Sequence, residues 1–473
     1  MNRTFGHPFR LWGTKRIPAL LICFAQAAAL HLRADAASDQ TASDQPTNEI
    51  EMLKRQIQAL SQKVEDLEKK QGLQSEKLKA APLITAGENG FSLQSANTNF
   101  ILNLSGFAQV DGHYYATPAT GAKDTFTIRR MRAIASGTVY KYFDYYMQVD
   151  FASGLTATTT NDSLLQDAYV NIHPWKAFQV QAGKFKEPVS LEVLPLDQYL
   201  WFLERGFPTE LAPNRDVGVQ IHGDLWHGAL SYSAGAFNGV PDGGSGDVEV
   251  ADNDKDAVAR FIAYPLRNAD ITALKNFGFG LGSSYGLQAG TATPTFATVG
   301  RQTFFGYNST VSERGQHLRL DPQGAYWWGP LCAYWEYAIS DEKFVLPSKK
   351  SQAYFENSGW DIDASWYLTG ESNVFGVLPT VASPFRFDGS GWGAFQLAAR
   401  FGELSMDPAA FPLYAKSGSA QGATSWSVAL DWYLNHNIKC IFEYSQTAFS
   451  GSHLAGVAAQ DEKALLGRLQ FGF

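Results

Sequence analysis

Apolar and polar residues alternate with a period of two from Phe100 to the C-terminus. In the first segment Leu102, Leu104, Ala108 and Val110 share one face, and polar residues occupy the other. This period predicts strands with one apolar and one polar face. Apolar-out and polar-in alternation is typical of a transmembrane barrel, but a soluble sandwich shows the same alternation. The pattern therefore predicts an all-β fold without choosing between these two.

The connections between the predicted strands are alternately short and long. Short turns are predicted near 140–143, 174–176, 225–227, 329–330 and 435–437. Long polar connections are predicted at 112–124, 154–163, 186–214, 238–256, 288–315, 341–352, 405–421 and 449–462. Short turns at one rim and long loops at the other are typical of outer-membrane barrels. Two connections on the short side, 265–275 and 369–390, are longer than this rule favours.

Aromatic residues recur at the short-turn ends of the strands. They are Tyr140, Tyr142, Trp175, Trp226, Trp327, Trp328, Trp366, Tyr367, Trp432 and Tyr433. A one-sided aromatic girdle is expected at a membrane interface. The last strand ends in Phe473, which resembles the assembly signal of bacterial outer-membrane proteins.

Counting strands between the loops gives 16, an even number that brings both termini to the short-turn side. Sixteen strands leave an aqueous lumen. We therefore predict an all-β membrane protein, a 16-stranded antiparallel transmembrane β-barrel over residues 100–473, preceded by a short helical coiled-coil segment.

A helical pattern precedes the barrel. Its apolar residues recur at alternating spacings of three and four: Ile50, Leu53, Ile57, Leu60, Val64 and Leu67. This short heptad seam predicts a coiled coil over residues 49–79, followed by a linker at 80–99. The alternative is an amphipathic helix docked on its own domain. Ile at a and Leu at d favour two strands in isolation, but so short a seam is expected to follow the symmetry of the attached domain.

The N-terminus has the features of an export signal. Basic residues precede the apolar stretch 17–30, and Ala34-Asp35-Ala36 is a candidate cleavage site. We predict a signal peptide at 1–36 and a polar linker at 37–48; the alternative is a buried N-terminal helix. Cleavage changes the net charge from −8 to about −12. No long apolar run follows, so no transmembrane helix is indicated.

Two cysteines, Cys332 and Cys440, remain after cleavage. Strand alternation directs Cys332 inward and Cys440 outward, so a disulfide between them is not expected. No metal-binding or redox motif of the CxxC type is present, and no cofactor is predicted.

The connection 186–214 is unusually long for a β protein and mixes apolar anchors with charges of both signs. We predict that it folds back inside the barrel and narrows the pore. Strand alternation also directs several arginines inward, where they avoid the cost of facing lipid. The candidate pore-lining residues are Arg130, Arg132, Lys184, Lys186, Glu192, Asp197, Glu204, Arg205, Arg215, Asp216, Arg260, Arg319 and Arg400. The alternative for each arginine is a wall residue paired with a carboxylate, with no role in transport.

A series of short motifs along the barrel resembles the phosphate-selective porin O/P family of Gram-negative outer membranes. The motifs are IRRMR (128–132), QDAYV (166–170), GKFKEP (183–188), ER (204–205), PNRDVG (213–218), FNG (237–239), YLTGE (367–371), GWGA (391–394) and WYLN (432–435). The resemblance implies a trimeric 16-stranded channel, an inward-folded third external loop, and basic residues that guide phosphate or similar anions. The acidic loop 238–256 departs from the lysine clusters that the family's phosphate selectivity implies. The resemblance therefore supports the fold more strongly than phosphate preference.

These observations predict an outer-membrane porin that passively conducts small hydrophilic solutes or ions, with phosphate and other anions as candidates. A general or organic-solute channel is the main alternative. The alternative of a secreted trimeric adhesin does not explain why the last strand ends in Phe473. An outer-membrane enzyme lacks a catalytic motif, because no G-x-S-x-G or H-E-x-x-H is present and the histidines are scattered singly. The expected partners are two further copies in a homotrimer, membrane lipid and small solutes, without nucleic acid.

Overall fold

The computed structural model describes residues 46–117, 122–152, 164–247, 253–289, 293–451 and 460–473. The predicted signal peptide 1–36 and most of the polar linker 37–48 lie outside the described residues. The chain divides into two units, with the boundary between Ala81 and Pro82.

The first unit contains one helix, α1 (Pro46–Ala80). It starts three residues before the predicted coiled-coil segment and ends one residue after it. The six residues of the heptad seam are all exposed, with between 52% and 64% of their surface accessible. No helix in the described part of the chain is both long enough and apolar enough to cross a membrane.

The second unit is built from β-strands. The first half contains β1 (Leu83–Gly87), β2 (Gly90–Gln94), β3 (Phe100–Thr117), β4 (Thr125–Val139), β5 (Phe143–Asp150), β6 (Leu165–Trp175), β7 (Phe178–Lys186), β8 (Arg215–Leu225), β9 (Leu230–Phe237) and β10 (Asp256–Ala263). The second half contains β11 (Gly278–Gln288), β12 (Thr295–Ala297), β13 (Thr303–Gly306), β14 (Ser312–Trp328), β15 (Leu331–Leu346), β16 (Ser351–Tyr367), β17 (Ala394–Ser405), β18 (Gly422–Tyr433), β19 (Ile438–Ser450) and β20 (Glu462–Gly472).

Sixteen of these strands form a closed antiparallel barrel. Each strand pairs with the next from β3 to β11 and from β14 to β20, and β11 pairs with β14. The last strand, β20, pairs with β3 and closes the ring. Gly106 and Phe473 exchange two backbone hydrogen bonds of 3.0 Å, so the C-terminus is fixed beside the first barrel strand. The predicted strand count and closure are confirmed.

Strand alternation separates the two faces of the wall as predicted. In β5, Met147 is 46% exposed, whereas the adjacent Gln148 is fully buried and Asp150 nearly so. Cys332 is buried, Cys440 is partly exposed, and both are free thiols. The outward face is therefore apolar and the inward face carries most of the charge.

Segment 80–99 is not simply the linker that the sequence suggested. It contains the hairpin β1–β2, and β2 also pairs with β3. The turn Glu88-Asn89 leads into Gly90, whose φ of +88° places it in the left-handed region. Two runs of alternating apolar and polar residues on either side of such a turn indicate a hairpin. These runs are so short that they were not recognised as strands from the sequence.

The long connection predicted at 341–352 is also not observed. Pairing between β15 and β16 continues as far as Leu346 and Ser351, so only a tight turn separates the strands. Phe344, Leu346 and Phe355 belong to a buried apolar cluster, and their burial extends the two strands through a stretch rich in charge. The prediction of a long loop there was wrong.

Candidate functional site

The connection between β7 and β8, residues 187–214, lies inside the barrel; we refer to it as the inner segment. Most of its apolar side chains are buried, including Val189, Leu191, Phe202 and Leu203. Phe202 and Leu203 join a cluster with wall residues such as Tyr334. The barrel interior is therefore packed where the inner segment lies, rather than holding only water as the strand count alone suggested.

Wall residues on several strands hold the inner segment by its backbone. Glu336 on β15 accepts hydrogen bonds from the amides of Leu191 and Glu192, and Glu443 on β19 accepts one from Leu203 at 2.9 Å. Lys439 donates to the Leu200 carbonyl at 2.7 Å. Such buried, charge-assisted bonds fix the path of a backbone that forms no sheet of its own.

A second set of contacts reaches the wall opposite the root of the inner segment. Arg400 on β17 lies eight strands around the ring from β7, which is halfway around a 16-stranded barrel. Its guanidinium binds Glu192 Oε1 at 2.5 Å and Asp363 Oδ1 at 2.6 Å. It also donates to the Glu204 carbonyl at 2.9 Å. The inner segment thus extends across the whole interior.

Asp197 is the centre of a buried cluster of charges. Its carboxylate forms ion pairs with Arg130 at 3.3 Å, with Arg205 at 2.5 Å and with Arg132. Arg132 also binds Asp150 at 2.8 Å. Two wall arginines and one arginine of the inner segment therefore meet at a single carboxylate.

Glu204 forms the second half of this cluster. It binds Arg129 at 2.5 Å and Arg130 at 3.3 Å, and Arg468 approaches it at 3.7 Å. Arg468 in turn binds Asp111 at 2.7 Å. Burial opposes the ionisation of Asp197 and Glu204, but the surrounding arginines hold the pKa of both carboxyl groups well below the ordinary range. Both groups are consequently charged at neutral pH.

Arg129 reaches this cluster through an irregularity in β4. The register changes between Gln109, which pairs with Arg130, and Val110, which pairs with Ile128. Arg129 is thus the extra residue of a β-bulge, and both Arg129 and Arg130 turn inward. Strict alternation places Arg129 on the outer face, so sequence reasoning missed it as a site residue. The doubled arginine before Met131 was the only available signal.

The other predicted residues do not all belong to one cluster. Lys186 donates to the Pro195 carbonyl at 2.6 Å, and Arg260 donates to Gln323 at 2.8 Å. Arg215 forms an ion pair with Asp167 at 3.1 Å. Lys186 and Arg215 therefore act at the root of the inner segment.

Three predicted residues instead contact the connection after β9. Lys184 binds Asp247, Asp216 accepts from the Gly239 amide at 2.6 Å, and Arg319 binds Asp242 at 2.7 Å. The acidic residues of this loop thus neutralise bases of the wall.

Residues 103–473 match the family model described as phosphate-selective porin O and P. The chain belongs to this porin family. The prediction from the motifs is therefore confirmed, and the barrel is an outer-membrane channel. No curated protein sequence matches the chain significantly.

Solved structures with the same fold are distant in sequence. The outer-membrane channel DcaP of Acinetobacter baumannii is 10% identical over 82% of the porin chain and 100% of its own, with a TM-score of 0.51. In-vitro folded OmpT of Vibrio cholerae is 10% identical over 79% of the porin chain and 98% of its own, with a TM-score of 0.50. At these identities the comparison supports the barrel fold and nothing finer.

The candidate pore-lining arginines of this porin are almost all paired with carboxylates. Among the candidate arginines, only Arg260 has no ion pair within 4.0 Å in the described part of the chain. An anion that enters the Asp197 and Glu204 cluster therefore competes with fixed carboxylates for the guanidinium groups, which reduces the net attraction.

Proposed function

We propose that the protein is a passive diffusion channel that spans the outer membrane and conducts small hydrophilic solutes and ions. The apolar outward face of the strands supports this placement. So do the exposed aromatic residues near the short turns, such as Tyr140, Trp175, Trp226 and Trp328. The export signal predicted at 1–36 agrees with this location.

The narrowest part of the path, in this proposal, lies between the inner segment and the wall that carries Arg129, Arg130 and Arg132. The observation that carries the proposal is the set of ion pairs from these arginines to Asp197 and Glu204. Charges of both signs at a constriction orient polar solutes and set ion preference without any energy input. The process needs no cofactor and no catalytic group.

Phosphate is the first candidate solute, because the family model carries that description. A general or organic-solute channel is the second candidate. It is favoured by the pairing of the arginines with carboxylates and by the acidic residues Asp242 and Asp247 after β9. Both candidates share the same path and differ in how strongly anions are preferred.

We propose that the functional unit is a homotrimer and that α1 contributes a coiled coil to it. The exposed heptad seam on α1 supports this assembly, since six apolar side chains on one stripe gain most by meeting copies of themselves.

Planar-bilayer recordings test the function directly. Under a KCl gradient, the sign of the reversal potential reports whether the wild-type channel prefers chloride or potassium, and added phosphate tests competition. We expect Arg130→Ala and Arg132→Ala each to move the reversal potential toward cation preference. An unchanged potential in both variants would contradict a selective role for this wall. Absence of phosphate competition in the wild type would favour the general channel.

A further inference from the structure

A second buried cluster of ionisable groups, separate from the one around Asp197, lies between the connection after β9 and the strands β14 and β15. Asp242, His317 and Glu342 each direct a nitrogen or oxygen atom into it, and these atoms lie within 4.8 Å of one another. All three side chains are buried, with at most 6% of the residue exposed. Far apart in sequence, they form no motif that the spacing of the residues could reveal.

The hydrogen bonds of His317 leave one ring nitrogen open. Its Nε2 lies 2.9 Å from Ser340 Oγ and 3.2 Å from Asp242 Oδ1. Its Nδ1 has no hydrogen-bond partner and faces Glu342 Oε1 at 3.6 Å. A histidine held by a hydrogen bond from one nitrogen to a hydroxyl, here Nε2 to Ser340, presents the lone pair of the other nitrogen, and metal-bound histidines are oriented in the same way.

The carboxylates are also incompletely satisfied. Arg319 occupies Oδ1 of Asp242 at 2.7 Å, and Oδ2 has no partner among the described residues. Neither oxygen of Glu342 receives a hydrogen bond from a donor group of those residues. Glu313 lies beside Glu342, so the pocket holds three carboxyl groups against the single guanidinium of Arg319. Buried charges of this kind require a cation or protons.

We propose that Asp242, His317 and Glu342 bind a divalent first-row transition ion of the Zn²⁺ or Co²⁺ class. One imidazole and two carboxylates form a ligand set that suits such ions. Ligand atoms around a tetrahedral zinc ion lie about 3.3 Å apart, so the His317–Glu342 pair needs little movement. Water or Glu313 completes the coordination.

The position of the site gives the ion a structural role. Asp242 belongs to the connection between β9 and β10, whereas His317 and Glu342 belong to the wall. A shared ion therefore ties this connection to two barrel strands. Without the ion, the same connection is held by Arg319, which binds both Asp242 and the Val240 carbonyl, the latter at 2.6 Å.

A proton shared between Glu313 and Glu342 is the competing explanation for the unsatisfied oxygens. The two explanations differ in one measurable respect, because a shared proton gives no saturable metal binding. The full-length protein is purified in detergent, stripped with EDTA and titrated with Co²⁺, whose visible absorption reports an ordered coordination sphere. Zn²⁺ is then added as a competitor.

We expect one Co²⁺ per chain, displaced by Zn²⁺, and at least about tenfold weaker binding in Glu342→Gln and in His317→Gln. The matched control is His227→Gln, which removes an exposed histidine on a turn and leaves binding unchanged. Zn²⁺ should also raise the unfolding temperature of the wild type and not that of Glu342→Gln. Absence of saturable binding to the wild type overturns the proposal whatever the variants do. Equal metal binding by the wild type and Glu342→Gln also overturns the proposal. This substitution preserves the shape of the side chain, and its amide group can replace the shared proton.

Discussion

At the scale of single residues, Asp197 is the carboxylate on which the charge cluster depends. It neutralises two wall arginines and Arg205, and its own burial is nearly complete. A buried carboxylate that has lost its arginines is costly, and so is a set of arginines that has lost its carboxylate. In the proposed channel, the charge at this position therefore controls both the path of the inner segment and the electric field that a passing ion meets.

Replacing Asp197 with Asn is expected to shift the channel toward anions. The surrounding arginines hold the pKa of Asp197 well below the ordinary range against the effect of burial, so the substitution removes a full negative charge at neutral pH. One unit charge about 6 Å from a permeating ion in water changes its energy by about 0.7 kcal/mol, or about threefold in the permeability ratio.

The measurement is the reversal potential under a KCl gradient. The matched control is Asp270→Asn, which removes the same charge from an exposed connection on the short-turn side. Equal reversal potentials in wild type and Asp197→Asn would show that ions do not pass this carboxylate.

The residues of this cluster also show how far the sequence could predict the site. Arg130 and Arg132 followed from strand alternation, because a polar inward face is required of a barrel. Arg129 did not, because a bulge breaks the alternation and no composition rule locates a bulge. The partners of each arginine were equally unpredictable, since Asp197 and Glu204 reach them only through the tertiary path of the inner segment.

At the scale of elements, the strands and the helix were predictable from different features of the sequence. The barrel strands were predictable from their period, and the errors arose where polar sequence lies in a strand. The 347–350 turn is an example: charged residues suggested a loop, but burial of Phe344 and Leu346 extends the ladder. Helix α1 was predictable for a different reason, because its six-residue seam repeats regularly through strongly charged sequence.

The seam of α1 is expected to stabilise the oligomer. Ile57→Asp with Leu60→Asp places two charges on the seam and should lower the temperature at which the oligomer dissociates. The substitutions remove two exposed apolar side chains, and burial of each one in a coiled coil would stabilise the oligomer by about 1.5–3 kcal/mol.

Native electrophoresis of the heated, detergent-solubilised protein gives this dissociation temperature, and circular dichroism at the helix minimum follows α1. The control pair, Gln58→Asp with Gln62→Asp, introduces the same charges on the same helix away from the seam. If both pairs lower the temperature equally, the effect is one of charge or helix propensity, and the coiled coil is not supported.

At the scale of the whole molecule, the inner segment joins opposite sides of the barrel. Its root lies at β7 and β8, Glu336 holds it at β15, and Arg400 holds it at β17. A closed barrel is a stiff frame, so a segment fixed at several points of the ring has little freedom to move. Its apolar side chains add a packed interior at the same level. In the proposed channel, the size of the conducting path is therefore set by tertiary contacts and not by strand number alone.

Releasing the far attachment is expected to raise the single-channel conductance. Arg400→Gln breaks the ion pairs to Glu192 and Asp363, and Glu192→Gln breaks the first of these from the other side. Since both substitutions free the same point of the inner segment, the double variant should raise conductance by less than the sum of the two single effects.

Arg386→Gln, which removes an exposed arginine, is the matched control and should conduct like the wild type. The heat-modifiable mobility of each variant verifies that the barrel has formed. Unchanged conductance in a folded Arg400→Gln barrel would mean that this attachment does not limit the path, because a segment that obstructs flow must admit more current once it is released. Additive effects of Arg400→Gln and Glu192→Gln would mean that the two residues act independently and not through one shared attachment.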